Sequence, residues 1–254
     1  AASQLNAGAQ AGNSATGAGG NAAGGQVSIF TLDTSSISLQ SISNFVDAIG
    51  GEGASAGGSA LGGNASLSTS ATSGAGITIN GRAQFNAGAF ASNGIGASGV
   101  SGSANGGSVN ILANTTDISF TGDLEVIAGA FGATATGSTS AVTGGFVTAE
   151  ARNGAVLSAT AGISLTANAS GTSTGGTAAA GAATGGTVDI FANGGTVQTA
   201  GLFMTANGSG GAQFGSAASG AGNGGLAQVR VSAGGQLVAG GDIDVAATGR
   251  GGDA

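Results

Sequence analysis

The chain has 254 residues, including 56 Gly and 53 Ala, and it contains no Pro, Cys, His, Trp or Tyr. Four Arg and eleven acidic residues give a formal net charge of −7. The lack of Cys and His excludes the common zinc, haem and iron–sulfur sites, so we expect no cofactor, and four dispersed Arg make nucleic acid a poor partner.

A Gly-Gly pair followed by alternating residues recurs along the chain at intervals of 38 to 44 residues. The repeats start near residues 24, 62, 106, 144, 185 and 224. Two and four residues after each pair the side chain is apolar, and the residue between them is polar. This period of two predicts a β-strand with one buried face.

Two further strands are predicted in each repeat. The second is centred on Ile37, Ile77, Ile118, Val156, Val197 and Leu237. The third is clear in the later copies, where apolar residues alternate in Leu124/Val126/Ala128, Ile163/Leu165/Ala167, Leu202/Met204/Ala206 and Ile243/Val245/Ala247. The first two copies fit this third strand less well.

Each repeat ends in 12 to 20 residues that are almost entirely Gly, Ala, Ser and Thr, as in residues 208–223. Such tracts are often linkers. We favour a different interpretation, because a linker in every repeat would leave each three-strand unit unable to bury its apolar face. The coil then has a thick end of Val, Ile, Leu and Phe and a thin end of small residues. The sequence leaves open whether the tract completes the same coil or forms a second one.

These features predict an all-β fold, a single parallel β-helix (β-solenoid) over residues 1–254 with about six imperfect repeats of roughly forty residues. The absence of Pro is consistent with this fold, because stacked strands use every backbone N–H group. We expect Gly at the corners of the coils, where left-handed backbone conformations are needed.

The stretch GGTVDIFANGGTVQTAGLFMTANG at 185–208 resembles the repeats of filamentous-haemagglutinin-type exoproteins, which are bacterial adhesins and related autotransporter passengers. The resemblance extends over the repeats from about residue 24 to 248, although the family's coils are shorter. It implies a right-handed helix, secretion to the bacterial cell surface and a structural or adhesive role. It transfers no catalytic residues.

Acidic pairs are the main candidates for chemistry. Asp123 and Glu125 share one strand face, as do Asp242 and Asp244, and such pairs can bind calcium or act as acid and base. A solvent-facing position explains them more simply. Nothing converges into a catalytic or metal site, so we do not expect an enzyme.

Three apolar residues are predicted to point outward at the same place in their repeats, namely Phe30, Leu112 and Phe191. They either contact a neighbouring chain or pack beneath the small-residue tract of their own repeat, and we favour the second alternative. Thr residues do not recur at fixed places, which weakens an ice-binding interpretation.

We therefore expect a structural segment of an extracellular bacterial fibre or surface adhesin. Neither end of the sequence resembles the polar cap of a natural solenoid, which predicts either self-association end to end into filaments or continuation within a longer chain. The alternative is a solenoid that binds ice, glycan or a host surface. No run of residues is long and apolar enough for a membrane span.

Overall fold

The computed structural model describes residues 2–70, 76–95, 99–174 and 178–253, which form 32 β-strands and no helix. The strands belong to five parallel sheets, which we number I to V in the order in which the chain enters them. The chain passes through all five sheets once per coil and then begins the next coil. About six turns stack in this way, so the predicted β-solenoid is confirmed.

Sheets I and II each contain seven strands. Sheet I consists of β1 (Ala2–Asn6), β6 (Ser41–Phe45), β11 (Ala83–Asn86), β16 (Asp123–Ile127), β21 (Gly162–Thr166), β26 (Leu202–Thr205) and β31 (Ile243–Ala246). Sheet II consists of β2 (Ala9–Gln10), β7 (Ala48–Ile49), β12 (Ala89–Phe90), β17 (Ala130–Phe131), β22 (Ala169–Ser170), β27 (Gly208–Ser209) and β32 (Gly249–Arg250).

Sheets III, IV and V each contain six strands. Sheet III consists of β3 (Ala22–Ala23), β8 (Ala60–Leu61), β13 (Ala104–Asn105), β18 (Val142–Thr143), β23 (Ala183–Thr184) and β28 (Gly222–Asn223). Sheet IV consists of β4 (Gln26–Thr31), β9 (Asn64–Thr69), β14 (Ser108–Asn114), β19 (Phe146–Arg152), β24 (Thr187–Asn193) and β29 (Leu226–Ser232). Sheet V consists of β5 (Ile37–Leu39), β10 (Ile77–Ile79), β15 (Ile118–Phe120), β20 (Val156–Ala159), β25 (Thr196–Thr199) and β30 (Gln236–Ala239).

Each repeat of about forty residues is one complete coil, because the small-residue tract returns through sheets II and III to the start of sheet IV. The register of sheet IV agrees with the alignment predicted from the Gly-Gly pairs. Val109, for example, lies between Ala65 and Val147 in neighbouring coils. The alternation in these strands therefore predicts both the strand and its pairing.

The prediction for sheet V was wrong by one residue in the fourth copy. Leu157, not Val156, lies between Ile118 and Val197 in the ladder. Leu157 is fully buried, whereas Val156 is partly exposed. Because a shift of one residue moves a side chain to the other face of a sheet, the two adjacent apolar residues made the register ambiguous.

The first two copies do contribute the third strand, although their residues are less regular. In sheet I, Ile42 and Asn44 pair with Ala83 and Phe85, which in turn pair with Leu124 and Val126. Asn44 is fully buried at a core position, and neither polar atom of its amide has a hydrogen-bond partner among the described residues. This polar residue in an apolar ladder explains why the pattern is weak in the first copy.

The interior is divided into two parts of different thickness. Sheets I, IV and V enclose a core of Ile, Leu, Val, Phe and Ala side chains, which we call the thick lobe. Sheets II and III face each other across a core that is almost entirely Ala, with Val142 as an exception, and we call this part the thin lobe. Strands of the thin lobe are only two residues long.

The Gly-Gly pairs form the waist between the two lobes. In each coil the second Gly donates a hydrogen bond of 2.6–2.7 Å across the coil to a carbonyl just after the sheet I strand; the donors are Gly25, Gly63, Gly107, Gly145, Gly186 and Gly225. A Cβ on Gly106 would lie 2.3 Å from the carbonyl oxygen of Ala128. The pairs are therefore needed for close approach of two backbone segments.

The expectation of left-handed Gly at the corners was mostly wrong. Among the described residues, positive φ occurs at Gly154, Gly194 and Gly234 in the turns between sheets IV and V. The non-glycine residues with positive φ are Asp33, Thr115, Asn153 and Ala233, and they lie in the same turns. The glycines of the waist are not among these residues, because they are required by packing distance and not by backbone conformation.

Candidate functional site

The outer face of sheet IV contains the three predicted outward residues. Phe30, Leu112 and Phe191 lie in one column along the solenoid, as expected, but Ser68 and Glu150 separate them. Phe30 is 56% exposed, whereas the other two are partly buried. The structure therefore aligns the three side chains without bringing them into one patch. A contact with a neighbouring chain at these positions stays a prediction.

An ion pair lies next to the last of these residues. The guanidinium of Arg230 contacts both carboxylate oxygens of Asp189 in the preceding coil, with a distance of 3.0 Å from Nε to Oδ1. The same guanidinium lies 4.2 Å above the ring of Phe191. Hydrogen bonding to Asp189 raises the pKa of Arg230. These contacts connect two coils, and they leave neither charge free for chemistry.

The acidic pairs line a shallow groove on the outer face of sheet I. Asp123 and Glu125 lie at one end, and Asp242 and Asp244 lie at the other. The floor of the groove between the two acidic pairs is formed by Gly162 and, in the next coil, by Gly201, because neither residue has a side chain.

The two acidic pairs are not brought together. Asp242 lies three strand spacings beyond Asp123 along the solenoid, a distance of about 14 Å at the usual spacing. Glu125 forms an ion pair with Arg82. Within the described part of the chain, no group of three or more acidic residues is arranged to hold a metal ion.

An aromatic column on the outer face of sheet II was missed in the sequence. Ile49, Phe90 and Phe131 pair in successive coils, and the two rings stack with centroids 5.1 Å apart. The rings extend over Gly88 and Gly129 at the corner between sheets I and II. The outward position after the buried Ala of each two-residue strand could have revealed this column, but only once the register of sheet II was known.

Asp47 lies beside this aromatic column and is half-buried. Its Oδ1 accepts a hydrogen bond of 2.6 Å from the backbone N–H of Gly88. Burial raises the pKa of the Asp47 carboxyl, and the hydrogen bond from Gly88 opposes this shift in part. This carboxyl therefore loses its proton less readily than an exposed aspartic acid does.

Sheet V presents a regular array of uncharged polar side chains, which sequence reasoning also missed. One row consists of Ser38, Thr78, Ser119, Ser158 and Gln198, which pair in register, and it ends at the apolar Val238 in the last coil. A second row lies just past the ends of these strands and consists of Gln40, Asn80, Thr121, Thr160 and the apolar Ala200. Neighbouring coils place the side chains of a row about 4.8 Å apart. Because the type of polar residue varies, the recurrence is visible only as a column in the structure.

Together the five sheets and their outer columns define a parallel β-solenoid repeat protein. Comparison with protein-family models, curated proteins and solved structures finds no match. The described residues contain no helix, and therefore no helix that is long and apolar enough to cross a membrane.

Proposed function

We propose that this chain is a structural segment of a secreted bacterial fibre or cell-surface adhesin, and that its ends associate with further coils. The observation that carries the proposal is the open apolar core at the last coil. Val229 is 38% exposed and Val245 is 41% exposed, whereas Ile190 and Met204, their counterparts one coil earlier, are at most 1% exposed.

Another coil would cover this surface in the same way as each coil covers the next. Strand edges that present unpaired N–H and C=O groups pair readily with another strand. At the first coil, Val27, Ile29 and Ile37 are likewise only partly buried. A second copy of the chain or a continuation of the same chain could supply the missing coil.

The placement of charged residues supports a mechanical role and not an enzymatic one. Arg230 with Asp189 and Arg82 with Glu125 each join adjacent coils. The remaining acidic pair, Asp242 and Asp244, lies on the outer face of sheet I. Secretion to the cell surface is supported only by the resemblance of residues 185–208 to the exoprotein repeats.

Electron microscopy and sedimentation at several concentrations test the proposal with two variants of the same strand. Val229→Lys places a charge on the open core, and Leu226→Lys places it on the outer face, where Leu226 is 49% exposed. We expect filaments with the wild type and with Leu226→Lys, and loss of filaments with Val229→Lys. Dispersed short rods at every concentration would favour a segment of a longer shaft. Shapeless particles would contradict both forms of the proposal.

A second candidate function is binding to an ordered neutral surface, either a polysaccharide or ice. The observation that favours it is the array on sheet V, which offers nine uncharged polar side chains in two rows along the solenoid. Hydroxyl and amide groups both donate and accept hydrogen bonds, and the fixed spacing favours a periodic partner.

Binding to insoluble polysaccharides and inhibition of ice recrystallisation test this candidate directly. Ser119→Lys introduces a charge at the middle of the array, and Ser164→Lys introduces the same charge on the outer face of sheet I. We expect binding to be lost only with Ser119→Lys. Equal binding by both variants would contradict a role for sheet V.

A further inference from the structure

Seven Asn residues of the chain are followed by Gly. They are Asn80, Asn93, Asn105, Asn153, Asn193, Asn207 and Asn223. Asn is chemically labile because the backbone nitrogen of the next residue can attack its side-chain amide carbon. Gly hinders this attack least, since it has no Cβ and adopts many conformations. The structure distinguishes these seven pairs by what holds the attacking nitrogen.

Four of the seven Gly nitrogens are held in hydrogen bonds between coils. Gly106, Gly154, Gly194 and Gly208 donate to the carbonyl oxygens of Thr143, Gly194, Ser232 and Thr248, respectively, at distances of 2.7–3.0 Å. Attack by such a nitrogen requires local opening of the ladder, and each such opening is energetically unfavourable. These four pairs are therefore protected by the fold.

The peptide between Asn80 and Gly81 is in a different situation, at the corner between sheets V and I. Among the residues that the structure describes, neither the carbonyl oxygen of Asn80 nor the N–H of Gly81 has a hydrogen-bond partner. The side chain of Asn80 is exposed, and its Nδ2 makes only a long contact of 3.4 Å with Ser38 Oγ. The attacking nitrogen is thus not held in the ladder, and the side-chain amide is held only by this long contact.

The two remaining pairs are more restrained than this corner. The carbonyl oxygen of Asn93 accepts a hydrogen bond from Gly53, and that of Asn223 accepts one from Gly185. Asn93 Oδ1 also accepts a hydrogen bond of 3.2 Å from Thr134. Each of these peptides is held on one side, whereas the peptide after Asn80 is held on neither.

We propose that Asn80 is the preferred site of spontaneous deamidation in the folded chain. The backbone nitrogen of Gly81 loses its proton to solvent and bonds to Cγ of Asn80, and the side-chain amide nitrogen leaves as ammonia. The resulting succinimide is opened by one water molecule, which yields either Asp or isoaspartate at position 80. Water is the only co-reactant, and no oxidant or reductant takes part.

The modification changes the array on sheet V. A carboxylate replaces the amide in the second row, between the uncharged Gln40 and Thr121. Isoaspartate also lengthens the main chain by one methylene at a crowded corner, since a Cβ on Gly81 would lie 2.7 Å from the carbonyl oxygen of Gln40. Deamidation of Asn80 would thus introduce the first negative charge into the two rows of sheet V. The chemistry itself does not depend on either proposed function.

The four Arg residues make the test straightforward. The full chain is aged in mildly alkaline buffer, then unfolded and cleaved with trypsin, and the peptides are analysed by mass spectrometry. The peptide that ends at Arg82 contains Asn80 as its only Asn-Gly pair, and the peptide over 153–230 contains the protected Asn153, Asn193 and Asn207. We expect Asn80 to react at least about fivefold faster than these three, the factor given by one net backbone hydrogen bond.

Two controls separate the fold from the local sequence. In concentrated urea the rates at all seven pairs should become similar, because the hydrogen bonds are gone. Asn80→Gln keeps the amide but disfavours ring closure, so the deamidated form of the peptide that ends at Arg82 should disappear. The proposal is overturned if Asn80 reacts no faster than the protected pairs in the folded chain. It is equally overturned if its advantage persists in urea, or if Asn80→Gln leaves deamidation of that peptide unchanged.

Discussion

The thick and thin lobes of each coil both enclose a buried interior, but they close it by different means. In the thick lobe, large side chains such as Phe85 and Leu124 fill the space between three sheets. In the thin lobe the backbone itself closes the coil, as where the N–H of Gly58 donates to Gly51 and that of Gly181 donates to Thr172. One lobe is therefore sensitive to the loss of atoms and the other to their addition.

Removing atoms from the thick lobe is expected to have the largest effect. Phe85 is fully buried in the middle of sheet I, and Phe85→Ala should destabilise the chain by about 3–5 kcal/mol because it leaves a cavity. The neighbouring Gln84→Ala points outward and should change stability by less than about 0.5 kcal/mol. Urea denaturation of both variants measures the difference. Equal midpoints would show that the thick lobe is loosely packed.

Adding atoms at the waist is expected to have the next largest effect. Gly106→Ala places a Cβ 2.3 Å from the carbonyl oxygen of Ala128, and we expect a loss of about 3 kcal/mol through forced separation of the two backbone segments. Gly162→Ala is the matched control, because its nearest contact would be an ordinary 3.6 Å. A Gly106→Ala variant as stable as this control would contradict the close-packed waist.

Correcting the polar defect in the thick lobe should increase stability. Asn44 lies between Leu5 and Phe85 in its ladder, and within the part of the chain that the structure describes both of its amide atoms are unpaired. A buried polar group without partners costs about 1–3 kcal/mol, so Asn44→Leu should raise the thermal midpoint. A lower midpoint would mean that the amide has a stabilising role.

The smallest expected effect depends on pH and concerns the corner between the lobes. Burial raises the pKa of Asp47 in the folded chain, so the folded form binds this proton more tightly than the unfolded form does. Its contribution to stability is present below the unfolded pKa and is lost as the pH rises through the folded pKa.

Asp47→Asn removes this loss and keeps an oxygen that can accept the hydrogen bond from Gly88. We therefore expect the variant to have a higher thermal midpoint than the wild type at neutral pH. The difference between the two midpoints should become smaller at acidic pH. Thermal melting across the acid range measures it. Glu52→Gln, at an exposed carboxylate in the same coil, controls for the change in net charge. A difference that does not vary with pH would contradict the role of burial.

The thick lobe could be predicted from the sequence because its side chains alternate in size and polarity. Ile29, Leu67 and Ile111 follow their Gly-Gly pairs at a fixed distance, and this alone gave the register of sheet IV. The pattern failed where two apolar residues adjoin, at Val156 and Leu157, and where a polar residue is buried, at Asn44.

The thin lobe and the outer faces could not be predicted in the same way. Contacts between two backbones leave no periodic side-chain pattern, so the closing role of the Gly-rich tracts was undecided from the sequence. The aromatic column of Phe90 and Phe131 depends on the register of two-residue strands. The acidic pairs lie on an outer face, as expected. The distance between them could not be predicted, because it depends on how many coils lie between the two pairs.

The direction of the hydrogen bonds has a mechanical consequence. All pairings between coils run along the solenoid axis, because each strand pairs in parallel with its copies in neighbouring coils. Tension between the two ends would therefore peel coils away one at a time, and would not load many bonds at once. Each released coil of about forty residues extends to about 130 Å, in place of the roughly 4.8 Å that it occupies when stacked. The chain thus stores a large reserve of length, which would let the stacked coils yield gradually under a sudden pull.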